Sequence, residues 1–488
     1  MDNIKKFQFE IVILGDGSGA NLARKLAQFG FKVALIGHGR PGGTCLNRGC
    51  IPSKKLIAPI FKIYDSINTL QKFSQKNNIK REELSELKVN NFINLTKLKE
   101  EVLKEVTQDS LNSKDMMQSG KIENLTYFSS HATFIDDYTL KLEDEVIISY
   151  DKIVIATGSR PRVPSEIQGI ESVEYDTSTE ALFSQDEISK YTILGGGVIA
   201  CELGALYAAC GVDVTIIATG GILRPIDDML KKQTEQYLED LGITIIKRVQ
   251  IDKIEEKNST IKIDYSKEKL SQSLLASRML VALGITPNTD SLYLDNTSIK
   301  TNNRGFIEVD DLTFKVKNSD HIFAIGDCVG KSQLRHGAGF EAREVFKQLV
   351  LGEKSTLSQD YMPYGIYLGI CEVAGCGKTS QELKKEGINF KTYTKEFQST
   401  VYGKAKGLRG ICVIHYDSST LEILGSHIFG NDAVNLNQII VPYIEEKKTL
   451  FDLSDTISPH PSLAEGLFTI SIRDIVYDHW KKNLNKKE

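Results

Sequence analysis

The sequence predicts an α/β fold class, with two Rossmann-like dinucleotide-binding domains in one chain and a C-terminal α+β domain after them. The first observation is a duplication: EIVILGDGSGANLARKLAQFGFKVALIG from Glu10 and YTILGGGVIACELGALYAACGVDVTIIA from Tyr191 share one design. In each, an apolar run breaks at a glycine-rich turn, an amphipathic helix follows, and a glycine leads into a second β-branched run. That is the βαβ order of a dinucleotide-binding half. The second observation is the last 130 residues, where strand-like GICVIHY and LEILGSHIFG mix with helical segments.

Length and charge agree with several compact domains and small ligands. At 488 residues the chain exceeds one hydrophobic core and predicts three or four domains. A formal net charge of -4 provides no basic field, so neither nucleic acid nor an anionic membrane surface is expected as a main partner. The first apolar run, Ile11 to Leu14, is too short for a signal peptide and reads as a buried strand. No stretch reaches the roughly 20 apolar residues of a membrane span, so a cytoplasmic location is expected.

Between the two units, residues 62 to 118 read as charged and mostly helical, with Leu95, Leu98, Val102 and Val106 forming one apolar stripe. After the second unit, TIKIDY and GFIEVD alternate like strands, HIFAIGDCVG follows, and a helix is expected from about Gly339 to Leu351. A new domain is expected to begin near residue 358, and the tail KKNLNKKE reads as solvated.

Gly15, Gly17 and Ala20 follow a strand and open a helix, as do Gly195, Gly197 and Ala200. In both places the backbone can approach a pyrophosphate at a helix N-terminus. An acidic residue is expected at the end of the next strand to hold a ribose hydroxyl, yet those places read Gly37-His38 and Ala218-Thr219. In the second unit no arginine stands at the strand end to meet a 2'-phosphate, so the choice between NAD and NADP stays open.

Six of the eight cysteines (Cys201, Cys210, Cys328, Cys371, Cys376, Cys412) sit in mixed or apolar contexts and read as reduced, buried side chains. Cys45 and Cys50 differ, because GGTCLNRGCIPSKKL places them five apart just ahead of Pro52, a first-turn residue. Five residues of regular helix rise about 7.5 Å, so a disulfide there requires a distorted turn, which Gly49 permits. Two unconnected thiols and half a zinc site are the competing readings. No second cysteine pair stands at metal spacing, and no metal site is predicted.

GGTCLNRGCIPSK, ATGSRP at Ala156 to Pro161, GITPN at Gly284 to Asn288 and AIGD at Ala324 to Asp327 resemble, in that order, the motifs of the class I pyridine nucleotide-disulfide oxidoreductases. The resemblance covers nearly the whole chain. It implies an FAD-binding domain at 1–164, an NAD(P)-binding domain at 165–284, a central domain completing the FAD site at 285–357, and a dimerisation domain at 358–488. It also implies a redox disulfide in which Cys45 meets substrate and Cys50 lies against the flavin. Lys54 would sit near the reactive flavin nitrogen and pair with Glu202, and Asp327 would bind the ribityl chain. Ala132, Gly158 and Gly284 are further implied cofactor-binding positions.

SPHPSLAEGL resembles the family's dimer motif, making His460 the acid/base and Glu465 the carboxylate that orients it. Thiol exchange needs a proton taken up and later returned, and a carboxylate-held imidazole does both near neutral pH. The dyad would serve the other subunit's cysteines, implying a homodimer. Ser458 and Ser462 replace a histidine and a threonine frequent in the motif. Val198, where glutathione reductases usually carry a tyrosine, points to the dihydrolipoamide dehydrogenase branch, with lipoamide or a lipoyl domain as substrate and NAD preferred over NADP. The alternatives are an NADPH-dependent reductase of a glutathione- or mycothiol-type disulfide, and a non-catalytic flavin-binding sensor or scaffold.

Overall fold

A computed structural model describes residues 5–76, 84, 86–353, 361–468 and 470–484. The first apolar run forms β1 (Lys6–Leu14), exposed at its start and buried along its last four residues. The turn after it leads into α1 (Ser18–Gln28), which returns the chain to β2 (Val33–Gly37), parallel to β1 with Ile13 beside Leu35. A fully buried strand such as β2 needs both faces covered, which crossover helices provide.

Two helices follow, α2 (Gly43–Arg48) and α3 (Cys50–Lys76), and then α4 (Leu95–Gln118). On α3, Leu56, Ile57, Ile60, Phe61 and Ile67 recur at helical spacing and enter a core shared with the second nucleotide unit. Val102 and Val106 of the expected α4 stripe are buried in that core, with Leu95 and Leu98 packed at its edge.

β3 (Leu125–Ser129) joins β2, and β4 (Ala132–Asp136), β5 (Thr139–Leu142) and β6 (Ile147–Ile155) complete the other flank. The short β7 (Ser159–Pro161) carries the chain out. The second unit repeats the design with β8 (Lys190–Leu194), α5 (Val198–Ala209) and β9 (Asp213–Ala218). Its sheet adds β10 (Thr244–Lys247), reached through α6 (Asp228–Asp240). An antiparallel sheet of β11 (Gln250–Lys257), β12 (Thr260–Lys267) and β13 (Leu270–Ala276) is followed by β14 (Arg278–Val281) on β8.

β15 (Ile285–Pro287) pairs antiparallel with β7, so ATGSRP and GITPN run side by side between the units. The chain then returns to the first sheet, where β16 (Ile322–Ala324) lies parallel to β6. GFIEVD, expected as a strand, is not one: Ile307 and Val309 make isolated bridges to Thr301 and Val316, partners on two different segments. The segment opens on Gly305 at φ +81°, and its bridges pass from one neighbour to the other instead of continuing along either. The helix expected from Gly339 starts one turn earlier, as α7 (Arg335–Leu351).

The expected domain start near 358 lies outside the described residues. Beyond it, β17 (Tyr364–Tyr367), β18 (Glu372–Gly377), β19 (Phe390–Glu396), β20 (Gly410–Asp417) and β21 (Ile423–Gly430) form one antiparallel sheet, with the short α8 (Ser380–Lys385) after β18. α9 (Ala433–Glu445) and α10 (Ile470–Leu484) follow, and buried α9 and α10 residues share one core with this sheet. Among the described residues no helix is long and apolar enough to cross a membrane.

Candidate active site

Both glycine-rich turns use the same steric device. Gly15 has φ +119°, and a β-carbon there would collide with the Ala156 carbonyl oxygen at the end of β6; Gly195 has φ +123°, and its β-carbon would collide with Ala282 O after β14. Only glycine allows the first turn residue so close to the neighbouring strand. Gly197 has open space around it, and Gly17 crosses Gly43 so tightly that a β-carbon on Gly43 would stand 2.8 Å from Gly17 Cα. Each turn therefore leaves backbone free to meet a pyrophosphate at the start of α1 or α5, the cradle expected of FAD and a pyridine nucleotide. Ala20 and Ala200 are buried on these helices.

A carboxylate from the first glycine-rich turn occupies the space beside Gly37, where an acidic residue was expected. Asp16, inside the first glycine-rich turn, is buried and accepts a hydrogen bond from Tyr127 Oη at 3.0 Å. Its carboxyl fills the space above Gly37, so a side chain at 37 would collide with it. Burial raises the Asp16 carboxyl above its ordinary range, opposed by the Tyr127 hydrogen bond. At the neighbouring position His38 stacks on His131, ring centroids 3.4 Å apart.

Side chains tie down the backbone of the redox segment. Asn47, buried, donates through Nδ2 to the carbonyls of Arg40, Pro41 and Gly43, and Ser110 Oγ on α4 donates to Pro41 O at 2.6 Å. Helix α2 ends at Arg48 and α3 begins at Cys50; Gly49 between them has φ -147° and ψ -114°, outside helical geometry. This break brings Cys45 and Cys50 together as two free thiols in hydrogen-bond contact. Cys45 donates to the Cys50 sulfur, which lowers Cys50 to about 7, with further help from the Lys54 charge and against the opposing cost of burial. The same bond raises Cys45, and burial adds to the shift. Of the other six cysteines, five are buried and Cys210 is half-buried, and all six are pushed up by loss of solvent where a shift is resolved.

Cys50 opens on a cavity of about 590 Å³ lined also by Ile51, Lys54, Ala58 and Tyr367. One turn into α3, Lys54 Nζ lies 2.6 Å from Glu202 Oε2 on α5 and 4.8 Å from the centre of the Tyr367 ring. The other Glu202 oxygen accepts from Tyr367 N at 2.9 Å, so both carboxylate oxygens are engaged. Tyr367 on β17 was not singled out by sequence reasoning. An aromatic in a short strand carries no spacing signal, and only the packing of the C-terminal domain brings it here. Asp327 Oδ2 accepts from Ser159 Oγ at 2.7 Å, beside Gly158 at φ +70° with open space about it. Thr157 Oγ1 nearby in sequence is buried without a hydrogen-bond partner. Ala132 begins β4, and Gly284, at φ +103°, stands just before β15 with open space around it. The glycine cradle, the open space at Gly158 and the polar atoms at 157 and 327 fit an FAD.

His460 Nδ1 lies 2.7 Å from Glu465 Oε1, and Ser462 N donates to Glu465 Oε2 at 2.8 Å. These bonds lower the Glu465 carboxyl, the Ser462 amide first and His460 second. An ionised Glu465 accepts from Nδ1–H and leaves His460 Nε2 with a free lone pair. Ser458 and Ser462 therefore leave the dyad geometry formed. The His460 side chain is 68% exposed on the single chain, next to Ile457 at 93%.

The sequence profile of the family described as pyridine nucleotide-disulphide oxidoreductase matches residues 9–342, and that of its dimerisation domain matches 362–470. The chain is 30% identical over 498 residues to a dihydrolipoyl dehydrogenase of Buchnera aphidicola subsp. Acyrthosiphon pisum, covering 99% of this chain and 100% of that one. It is 27% identical to a mercuric reductase of Staphylococcus aureus, covering 94% of this chain and 81% of that protein. The solved Cu(II) complex of the HOCl-induced flavoprotein disulfide reductase RclA from Escherichia coli superposes with a TM-score of 0.81 at 25% identity, covering 96% of this chain and 99% of that one. Two nucleotide cradles, a paired-cysteine break and a matching C-terminal domain over nearly the whole length place this chain in the pyridine nucleotide-disulphide oxidoreductase family, enzymes that work with FAD and NAD(P).

Proposed function

We propose that the protein is a homodimeric, cytoplasmic dihydrolipoamide dehydrogenase that moves electrons from dihydrolipoamide, free or on a lipoyl domain, through Cys45 and Cys50 to FAD and then NAD. The observation that carries this reading is the thiol pair at the α2–α3 break, where Cys50 is the more acidic sulfur and faces the cavity beside Lys54. With the pair oxidised, a substrate thiolate attacks Cys45 Sγ, the S–S bond breaks and its electron pair leaves on Cys50. A sulfur whose acidity is near neutral is a good leaving group. The second substrate thiolate then attacks the substrate sulfur of the mixed disulfide, releasing a closed disulfide product and Cys45.

Two electrons and two protons leave the substrate. One proton stays on Cys45, whose thiol form is favoured, and in the homodimer the other goes to Nε2 of the other subunit's dyad histidine, His460, with Glu465 fixing its ring. Bound FAD supplies the two-electron chemistry that links the thiols to a nicotinamide. Gly15, Gly17, Ala20, Ala132, Gly158 and Asp327 would hold it, with Lys54 and Glu202 at its reactive edge; Gly195, Gly197, Ala200 and Gly284 would hold the pyridine nucleotide. The 30% identity to dihydrolipoyl dehydrogenases supports this substrate class, as does Val198, an aliphatic side chain exposed at the start of α5.

A second reading, an NADPH-dependent reductase of a small disulfide, is favoured by Arg224. Its side chain lies across Gly220 after β9, so that a β-carbon at 220 would stand 2.9 Å from Arg224 Cδ. An exposed guanidinium in the loop beyond the strand end suits a 2'-phosphate. Steady-state turnover of the FAD-loaded protein with dihydrolipoamide and NAD, beside NADPH with glutathione disulfide, separates the two. Rapid lipoamide-dependent NAD reduction is the expected result; selective glutathione disulfide reduction would move the protein to the second reading, and no turnover on either pair would sink both.

A further inference from the structure

Away from the thiols, three ligand-type side chains meet where the second nucleotide unit touches the C-terminal sheet. Asp227 caps α6, with Oδ1 accepting from Met229 N at 2.8 Å. His415 on β20 stands opposite Gly425, two residues from His427 on β21, so both imidazoles share one face of the sheet. Their ring centroids are 5.4 Å apart. All three side chains are fully buried, and one donor atom from each lies within 4.8 Å of the others.

The hydrogen bonds fix where the lone pairs are. His427 Nε2 is 3.0 Å from the Lys378 carbonyl, which can only accept, so Nε2 carries the proton and Nδ1 a lone pair. That Nδ1 is buried without any hydrogen-bond partner. His415 Nε2 donates to Asp227 Oδ2 at 3.0 Å, and His415 Nδ1 lies 2.9 Å from Thr392 Oγ1. Asp227 Oδ2 also accepts from Ser380 N at 2.5 Å. Each imidazole thus has an oxygen behind it to fix ring and tautomer, the usual outer partner of a metal-bound histidine.

We propose that Asp227, His415 and His427 form a binding site for a zinc-type divalent cation joining the second nucleotide unit to the C-terminal domain. Two imidazole nitrogens and one carboxylate are a donor set for zinc and its transition-metal neighbours; magnesium and calcium prefer oxygen alone. The cation takes the His427 Nδ1 lone pair and the Asp227 carboxylate. It binds His415 at Nε2, whose proton moves to Nδ1, where Thr392 Oγ1 accepts it. The site stands apart from the thiol chemistry and does not depend on which substrate the enzyme takes.

The test uses full-length, FAD-loaded protein with Cys45 and Cys50 oxidised to the disulfide, so that thiolates cannot hold metal. After chelator treatment the protein is incubated with zinc chloride, desalted and analysed for zinc, and a zinc-soaked crystal is measured at the zinc absorption edge. The expected results are about one zinc per chain, an anomalous peak about 2.0–2.1 Å from His427 Nδ1, and a higher melting temperature with zinc. His427→Gln should lower zinc retention at least tenfold and abolish the zinc-dependent rise while leaving thiol turnover unchanged. No retained zinc, or a peak elsewhere, would overturn the proposal and leave the triad as a hydrogen-bonded seam. The anomalous measurement on the unmodified protein decides the question even where the variant fails to fold.

Discussion

Lys54 on the redox helix and Glu202 on the second unit's helix lie 2.6 Å apart, and the same carboxylate accepts the backbone N–H of Tyr367 from the C-terminal domain. Three parts of the chain converge on one buried carboxylate beside Cys50. Glu202→Gln keeps the acceptor for Tyr367 N but removes the charge opposite Lys54. The half-exposed Lys54 moderates the loss, so a destabilisation of about 1–3 kcal/mol is expected, together with a turnover reduced about tenfold. Denaturant unfolding and steady-state kinetics on one preparation check both; unchanged values in both would show that the pair is incidental.

The reduced thiols should titrate apart. Cys50, lowered to about 7, should react with iodoacetamide in flavin-free reduced protein with a half-maximal rate near pH 7, whereas Cys45 should stay slow through neutral pH. Lys54→Met should move the Cys50 midpoint upward, because it removes a stabilising positive charge. Peptide mapping of the alkylated sites reads this out, and labelling of Cys45 first would reverse the assignment.

Asp16 gives a stability prediction with a definite sign. Its folded carboxyl titrates above its unfolded value, so the folded state binds more protons between the two values and stability falls as pH rises through that window. At neutral pH the buried charge is a net cost. Asp16→Asn keeps an acceptor for Tyr127 Oη and should raise the melting temperature at pH 8, with the gain vanishing below about pH 4. A variant less stable than the parent at pH 8 would contradict this.

The dyad should act on thiol exchange alone. His460→Gln and Glu465→Gln should each slow the thiol-dependent half-reaction, by about 10²–10⁴-fold for the histidine and less for the glutamate, whose place Gln can fill as an acceptor. Bleaching of the bound flavin by NADH should keep its parental rate in both. Stopped-flow measurement of the two half-reactions separates these outcomes, and equal slowing of both would point to a structural role.

Ile457, 93% exposed beside the dyad, belongs on a covered surface if the chain pairs as its dimerisation domain implies. Ile457→Asp should weaken the dimer and lower thiol turnover with protein dilution, while a monomer's flavin content stays near one per chain. Light scattering across concentration tests this; a dimer indifferent to the charge would place Ile457 outside the interface.

The parts of the architecture legible in the sequence are those carried by local rules. The two glycine-rich turns announce themselves because a strand must turn sharply into a helix where no β-carbon fits, as Gly15 against Ala156 and Gly195 against Ala282 show. The buried strands β1, β2, β8 and β9 and the α4 stripe follow from apolar periodicity alone. The Cys45–Cys50 spacing called for a distorted turn at Gly49 only if the two sulfurs pair, and α2 and α3 are broken at that residue. GFIEVD misled, because alternation specifies a face to bury and cannot specify a continuous partner.

Tertiary structure alone decided what occupies each space. The carboxylate sought at Gly37 is excluded by Asp16, a residue 21 positions earlier whose side chain fills the same volume. Tyr367 reaches Lys54 and Glu202, and His427 reaches Asp227, across hundreds of residues of chain. Local sequence sets backbone conformation and which face is apolar, since both depend on neighbouring residues. Which distant polar group meets which is set by packing of whole domains, where burial makes an unpaired atom costly and so selects the partner.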